Sequence, residues 1–238
     1  MRHYFIFDGM DSRDFGVYIS GKNTFNGASR SQKSISIPGR NGDLTLDNGK
    51  FDNVKLTYPA FIVRDFSSNL SAFRDLISTK KGFLRLEDSY HPDEYRIAKL
   101  TGAVEVETLN TLNAGNFELT FDCYPQRFLK SGETQVMAIK GNAINNPTNQ
   151  NAYPLLEIYD PGTLTIGDIR IEIASFHDTY INIDCFLQEA YKDALSNSLN
   201  SYVSLPDGEF PYLKPGNTTI TWTGSMYRVY VTPRWWII

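Results

Sequence analysis

The segment NFELTFDCYPQRF, residues 116–128, alternates apolar with polar side chains over most of its length. One polar residue separates each of its apolar members from the next, and these are Phe117, Leu119, Phe121 and Cys123. Because successive side chains of a β-strand point to opposite faces, this alternation predicts a strand with one buried face. Pro125 then indicates that pairing ends, since proline has no N–H to donate. We interpret 117–125 as the last core strand of a first domain.

The chain before this strand predicts a compact unit of short strands with one helix. Apolar residues recur at helical spacing over 67–80, and the stripe consists of Leu70, Phe73, Leu76 and Ile77. Gly82 follows as a stop signal. A single amphipathic helix among many strands is expected to lie flat on a sheet.

Residues 31–64 predict an extended hairpin or a long loop, part of which stands away from the core. Strand patterns at 34–37 and 44–46 flank a turn segment made of Pro38, Gly39, Arg40, Asn41, Gly42 and Asp43. Two glycines and a proline in six residues indicate a turn that needs positive φ in places. Arginine is enriched at interfaces, so these six residues are the candidate subunit-contact loop. Pro59 predicts an edge, a bulge or a strand break in the next strand.

The second half of the chain predicts further strands. Residues 129–152 are polar and rich in asparagine, which predicts a linker or an exposed loop. Short strands follow in 153–238 at the spacing of a β-sandwich. Gly167-Asp168 predicts a tight hairpin between two of them. A last hairpin is expected across residues 223–225.

These patterns predict a mainly β protein. Its N-terminal domain, residues 1–128, is expected to be a β-sandwich with one α-helix and a protruding hairpin, and residues 153–238 a second β-sandwich. A chain of 238 residues fits two small domains, and 41% apolar residues are enough for two cores.

Composition argues against several classes of protein. The net charge is −4 and the Lys and Arg residues are scattered singly, whereas a protein that grips nucleic acid needs clustered cations. No segment is long and apolar enough to span a membrane. The N-terminus lacks the pattern of a signal peptide, so we expect synthesis in the cytoplasm. Cys123 and Cys185 are expected to be buried, reduced thiols in different domains.

No catalytic or metal-binding pattern is present in the sequence. His3, His91 and His177 stand far apart, and the HExxH, CxxC and GxSxG motifs are missing. The segment around Gly39 and Gly42 matches neither phosphate-loop pattern, and no helix follows it. We therefore expect no enzyme activity, no cofactor and no metal.

Six phrases stand in order along the chain: IPGRNGDL (37–44), DSYHPDEYR (88–96), FELTFDCYP (117–125), IDC (183–185), FPYLKPGN (210–217) and PRWW (233–236). Together they resemble the distal tail proteins of long, non-contractile-tailed phages and prophages of Gram-positive bacteria. Any one phrase is a weak signal, but six in the right order and at plausible spacing are specific. The resemblance covers nearly the whole chain.

The resemblance implies a structural protein of the virion. Members of this family form a hexameric ring at the distal end of the tail tube, built by the first domain, here 1–128. The second domain is a galectin-like β-sandwich that points outward. The ring is a hub that joins the tail tube to the tail-tip protein and anchors receptor-binding or baseplate proteins. It is assembled in the host cytoplasm, without membrane insertion, and DNA passes through its channel without sequence-specific binding.

Two other functions are compatible with the sequence. The alternative is a carbohydrate- or receptor-binding module, in which the second sandwich contacts the host cell wall. A tail-associated hydrolase is the third, and the missing catalytic motifs argue against it.

Overall fold

The structure is a computed structural model, and it describes residues 2–21, 26–63, 65–102, 104, 106–109 and 114–238, with the backbone alone for 106–109. The chain divides into two compact units, of which the first is Met1–Arg127 with Ile238 and the second is Phe128–Ile237. Strands dominate both units, so the predicted mainly β class is confirmed.

In the first part of the chain, the described residues form ten strands and the helix α1 (Phe66–Thr79). The strands are β1 (Phe5–Phe7), β2 (Met10–Asp11), β3 (Val17–Ile19), β4 (Arg30–Ile35), β5 (Leu44–Phe51), β6 (Val54–Ile62), β7 (Leu84–Asp88), β8 (Glu94–Thr101), β9 (Val106–Leu109) and β10 (Ala114–Leu129). A 3₁₀ turn, Ser12–Phe15, precedes β3.

One antiparallel sheet of the first unit has the strand order β2-β1-β7-β8-β10-β6-β3, and β9 pairs with β10. This sheet curls round far enough that His3, next to β1, pairs with Ile19 of β3. The aromatic rings of Phe5, Phe7 and Phe121 pack inside the curl. The curl thus gives a single sheet a closed hydrophobic core.

The predicted helix is present and packs on this core. Phe73 is fully buried, and its ring lies 6.4 Å from that of Phe5 and 5.9 Å from that of Phe117. Leu70 and Ile77 are also buried, but Leu76 is 39% exposed. The prediction of Leu76 as a core residue is therefore wrong, because the helical turn of 100° per residue carries it past the edge of the stripe.

Pro59 lies inside the uninterrupted strand β6, so the predicted edge, bulge or break is wrong. Its carbonyl accepts a hydrogen bond of 2.8 Å from the backbone N–H of Ser20, just after β3 ends. A strand residue directs its N–H and C=O to the same side. The missing N–H of Pro59 therefore faces Ser20, just beyond the end of β3, so only the last hydrogen bond of this ladder is lost. Arg64, the last residue of the predicted strand, lies outside the described residues.

The strand that contains Phe117 is longer than the sequence predicts. Its pairing with β6 ends at Cys123, but β10 continues through Pro125 to Leu129. On its other side β10 neighbours β8. The ladder with β6 ends opposite Val54, where β6 begins, and the strand β10 continues past Pro125.

The second part of the chain contains the strands β11 (Val136–Met137), β12 (Ala143–Asn146), β13 (Leu155–Tyr159), β14 (Gly162–Ile166), β15 (Ile169–Ile173), β16 (Ile181–Asp184), β17 (Glu189–Lys192), β18 (Ala194–Ser198), β19 (Val203–Ser204), β20 (Gly216–Gly224), β21 (Arg228–Thr232) and β22 (Trp236–Ile237). Two 3₁₀ turns, Lys130–Glu133 and Asn200–Tyr202, accompany them.

These strands form two antiparallel sheets, in the orders β11-β21-β13-β16-β17-β18 and β12-β20-β14-β15-β19. Residues of both sheets share one buried core, as the prediction of a β-sandwich requires. The two-residue hairpin at Gly167-Asp168 is confirmed, since it joins β14 to β15. The predicted last hairpin is wrong, because β20 and β21 pair in different sheets.

The prediction of a linker at 129–152 is also wrong. The strand β11 pairs with β21 and β12 pairs with β20, so this segment adds a strand to each sheet. Asn146 and Thr148 are buried, and the amide of Asn146 donates to the carbonyl of Leu213 at 3.0 Å. Hydrogen bonds and a few apolar contacts, such as the packing of Ile144 and the burial of Ala152, hold the segment, and its mostly polar composition does not reveal them.

Candidate functional site

The strands β4 and β5 form a two-stranded sheet of their own, which we call the arm (residues 30–51). At its base, the N–H of Asp52 donates to the carbonyl of Ser29 at 2.9 Å. The guanidinium of Arg30 lies over the ring of Phe51, 5.0 Å from its centroid. The arm is therefore a hairpin separate from the curled sheet.

All six residues of the predicted contact loop, Pro38 to Asp43, lie at the exposed tip of the arm. Gly39 has a φ of 81° and Gly42 a φ of 83°, which confirms the predicted need for positive φ. The side chain of Asp43 accepts a hydrogen bond from Ser34 at 2.9 Å, across the mouth of the turn. Arg40 keeps its side chain exposed at this tip.

A bulge shapes the arm near its base. The register between the strands shifts from the pair Arg30–Phe51 to the pair Gln32–Asp47. Gly49, with a φ of 71°, lies within this bulge, and its N–H donates to Asp47. That hydrogen bond, followed by the charge of Arg30, lowers the pKa of Asp47. The bulge increases the local twist of the hairpin.

One face of the arm exposes three apolar side chains beside Lys33, which pairs with Leu46. Ile35 pairs directly with Leu44, so these two side chains share a face, and Leu46 lies two residues further along it. They are 38%, 46% and 54% exposed, respectively. The other face carries the polar pair Ser34 and Thr45. Alternation in the sequence revealed the strands, but only the structure shows that neither face is covered within the described part of the chain.

The phrase DSYHPDEYR forms a buried polar cluster beside the curled sheet. Asp88 accepts hydrogen bonds from the hydroxyl of Tyr58 at 2.7 Å and from the N–H groups of Tyr90 and His91. Burial, then Asp88, raises the pKa of Tyr58. Arg96 is also buried, and desolvation lowers its pKa. The cluster fastens the β7–β8 turn to β6, and we interpret it as structural.

The phrases IDC and PRWW meet in the second unit. Arg234 donates two hydrogen bonds to Asp184, at 2.7 Å and 2.8 Å. Asp184 is 2% exposed and also accepts from the N–H groups of Phe186 and Leu187. This fixed pair joins the last turn of the chain to β16, so these motif residues also hold the fold together.

The remaining candidate groups are the two thiols and the possible metal ligands. Cys123 and Cys185 are buried free thiols, as the sequence predicts. The described residues contain no group of three or more His, Cys, Asp and Glu side chains that could hold a metal ion. In that part of the chain, no helix combines the length and apolar character that crossing a membrane requires.

Comparisons with known proteins agree with this description. The family model of the phage tail protein RIFT-related domain matches residues 11–123. The Dit protein of phage SPP1, described as a paradigm of the hub adsorption apparatus in phages that infect Gram-positive bacteria, has a TM-score of 0.73 at 12% identity, and 100% of each chain is covered. No curated protein matches the sequence.

The baseplate of phage p2 in its activated conformation gives two further matches. In the structure with Ca the TM-score is 0.56 at 12% identity, with 97% of each chain covered. In the structure with Sr it is 0.54 at 10% identity, with 97% of this chain and 98% of the other covered. The predicted resemblance is thereby confirmed: residues 11–123 match the model of the phage tail protein RIFT-related domain, and the whole chain is similar in fold to SPP1 Dit.

Proposed function

We propose that this protein is a non-enzymatic structural subunit that forms a hexameric ring at the distal end of a phage tail tube. In this proposal the ring is a hub that connects the tube, the tail-tip protein and the receptor-binding or baseplate proteins. Residues 1–128 build the ring, and the second domain, which we propose to be galectin-like, points outward. The protein resides in the virion and is assembled in the host cytoplasm. The family match and the full-length fold similarity support this function.

The exposed apolar face of the arm is the observation that carries the proposal of a ring. Fully burying a Leu or Ile side chain stabilises an assembly by about 1.5–3 kcal/mol, and Ile35, Leu44 and Leu46 are each one-third to one-half exposed. A contact between this face and a different surface of the next subunit is heterologous. Heterologous contacts close into a ring when the rotation between subunits permits it.

The charge of the chain suits a ring around a DNA channel. A lumen rich in Lys and Arg would retain DNA, because binding to phosphates releases counterions. A net charge of −4 agrees with a lumen that does not retain DNA in this way. DNA can then pass without sequence-specific binding.

The structure indicates how to remove the arm cleanly. Arg30 and Phe51 are paired at its base, so a two-residue Asn-Gly turn can replace residues 31–50. We expect the wild-type protein to show six-fold rings in negative-stain images, and the shortened protein to keep its circular dichroism spectrum but form no rings. Rings formed by the shortened protein would show that the arm is not the contact.

A carbohydrate-binding role for the second domain remains the second candidate. A shallow groove of about 360 Å³ lies beside β14, β15 and β19, and its lining includes Thr163, Glu172 and Ser204. Hydroxyl and carboxylate groups of this kind can hydrogen-bond to a sugar. A glycan array probed with the full chain and with Glu172→Gln tests this role. Binding that the substitution abolishes would support it, and an array without binding would reject it.

A further inference from the structure

The dipeptide Asn-Gly occurs three times in the chain, and two of these dipeptides lie in the arm. Asn26-Gly27 precedes the arm and adjoins residues 22–25, which are outside the described part. Asn41-Gly42 lies in the turn at the tip of the arm, and Asn48-Gly49 lies in β5 at the bulge. Both dipeptides of the arm are exposed, and a Cβ added to either of their glycines would meet no atom within 4 Å. The two thus share a sequence and open surroundings, but their polar groups are held differently.

Two hydrogen bonds hold the dipeptide at the bulge. The N–H of Gly49 donates to the carboxylate of Asp47 at 2.9 Å. The side-chain amide of Asn48 donates to the hydroxyl of Ser31, on the partner strand β4, at 3.2 Å. These bonds fix the side chain of Asn48 against the neighbouring strand and occupy the backbone N–H of Gly49.

The same two groups are free at the tip. Within the described part of the chain, neither the side-chain amide of Asn41 nor the N–H of Gly42 has a hydrogen-bond partner. The turn is fastened on either side of them, by the bond of 3.1 Å from the N–H of Arg40 to the carbonyl of Ile37 and by the bond of Asp43 described above. Because Gly42 has no Cβ, its nitrogen is open to the side chain before it. Asn41 and Gly42 can therefore rotate toward each other without breaking a hydrogen bond.

We propose that Asn41 is a site of spontaneous deamidation, and that the bulge protects Asn48 from the same reaction. The backbone nitrogen of Gly42 loses its proton and bonds to the side-chain carbonyl carbon of Asn41. The bond from that carbon to the amide nitrogen breaks, and ammonia leaves. Water then opens the resulting succinimide ring, which leaves aspartate or isoaspartate at position 41. The reaction requires no oxidant, reductant or enzyme.

Deamidation changes the charge of the arm tip. The predicted contact loop, Pro38 to Asp43, carries one cation, Arg40, and one anion, Asp43. A carboxylate at position 41 gives this loop a net negative charge, and isoaspartate also adds a carbon atom to the backbone. The inference concerns the single subunit, so it does not depend on ring formation.

The test is peptide mapping by mass spectrometry after incubation of the full-length protein at mildly alkaline pH. Trypsin releases residues 41–50 as one peptide, so both asparagines are measured in the same spectrum, and protein digested without incubation gives the background. In folded single chains, Asn41 should deamidate at least about tenfold faster than Asn48, because Asn48 must first break two hydrogen bonds. In urea the two rates should become similar. Size exclusion supplies the single chains, and Leu44→Lys with Leu46→Lys supplies them if the wild-type protein gives only rings.

Removing the protection makes the test specific. The substitution Asp47→Ala takes away the acceptor for the N–H of Gly49, so it should raise the rate at Asn48 at least about twofold and leave the rate at Asn41 unchanged. The control Asn41→Gln should abolish the reaction at position 41, because glutamine would have to close a larger ring. Circular dichroism of both variants checks that they fold. Equal rates at Asn41 and Asn48 in folded single chains, a faster reaction at Asn48, or an unchanged rate at Asn48 in the Asp47→Ala protein would overturn the proposal.

Discussion

Arg234 forms a two-pronged ion pair with the buried carboxylate of Asp184 in the second unit. Replacing Arg234 with Met removes the cation and leaves a carboxylate that is 2% exposed. Two backbone N–H groups continue to bind that carboxylate. We therefore expect a loss near the lower end for a broken buried pair, about 3 kcal/mol in the free energy of unfolding measured with urea.

An exposed pair in the same unit provides the control. Arg170 donates to Asp207 at 2.9 Å at the protein surface. The substitution Arg170→Met should leave the free energy of unfolding nearly unchanged, because exposed ion pairs contribute little. Equal losses from Arg170→Met and Arg234→Met would show that burial does not set the strength of these pairs.

The two thiols should be inert in the folded protein. Burial raises the pKa of Cys123 from 9.0 to about 12, and burial also raises the pKa of Cys185. Thiol reagents attack the thiolate, so at pH 8 the native protein should react slowly and the urea-unfolded protein fast at two sites. Rapid reaction of the native protein at pH 8 would contradict the burial of these side chains.

The same pKa shift has a consequence for stability. The unfolded Cys123 thiol ionises near pH 9, while the folded thiol resists ionisation until about pH 12. Its contribution to stability is therefore fully present below pH 9 and is lost as the pH rises from 9 to 12. Replacing Cys123 with Ala should flatten this part of the pH dependence of unfolding.

At the scale of single residues, the sequence motifs identify Asp88 and Asp184 but do not identify the residues that hydrogen-bond to them. Both residues lie in phrases of the sequence that resemble those of distal tail proteins. Their partners Tyr58 and Arg234 lie 30 and 50 positions away. Periodicity reports only on neighbours within a turn or a strand, so it cannot pair residues at such distances.

The helix α1 allows a prediction at the scale of one element. Phe73 is fully buried against Phe5, Phe15 and Phe117, whereas Leu76 is 39% exposed on the same helix. We expect Phe73→Ala to lower the free energy of unfolding by about 3–5 kcal/mol, measured by chemical denaturation. Leu76→Ala, the control, should cost less than about 1 kcal/mol. A larger loss for Leu76→Ala would place the helix in a different rotation on the sheet.

Local sequence patterns predicted single helices and hairpins better than they predicted which strands pair in a sheet. The helix and the Gly167-Asp168 hairpin follow from spacing within a few residues, and both are present. Whether the strand β6 tolerates Pro59 depends on where the neighbouring strand β3 ends, and the sequence around Pro59 does not reveal this. The strands β20 and β21 are close in sequence, but each pairs in a different sheet. Pairing across a sheet is a non-local property and needs the structure.

At the scale of the whole molecule, the mainly β architecture could be predicted from alternation alone. The segment 129–152 could not, since its strands are only two and four residues long and pair with distant parts of the chain. The exposed turn at 38–43 could be located from its glycines and its proline. The apolar face beside it emerged only when the structure showed Leu44 and Leu46 exposed. Assembly through this face is the central claim of the account.

Light scattering after size exclusion tests this claim most directly. The variants are a double substitution, Leu44→Lys with Leu46→Lys, on the apolar face of the arm, and Thr45→Lys, its control on the opposite face. We expect the wild-type protein and Thr45→Lys to have six times the mass of one chain, and the double variant to be a folded single chain, because burying two lysines at an interface is costly. A six-chain mass for the double variant, or a single-chain mass for the wild-type protein, would contradict the account.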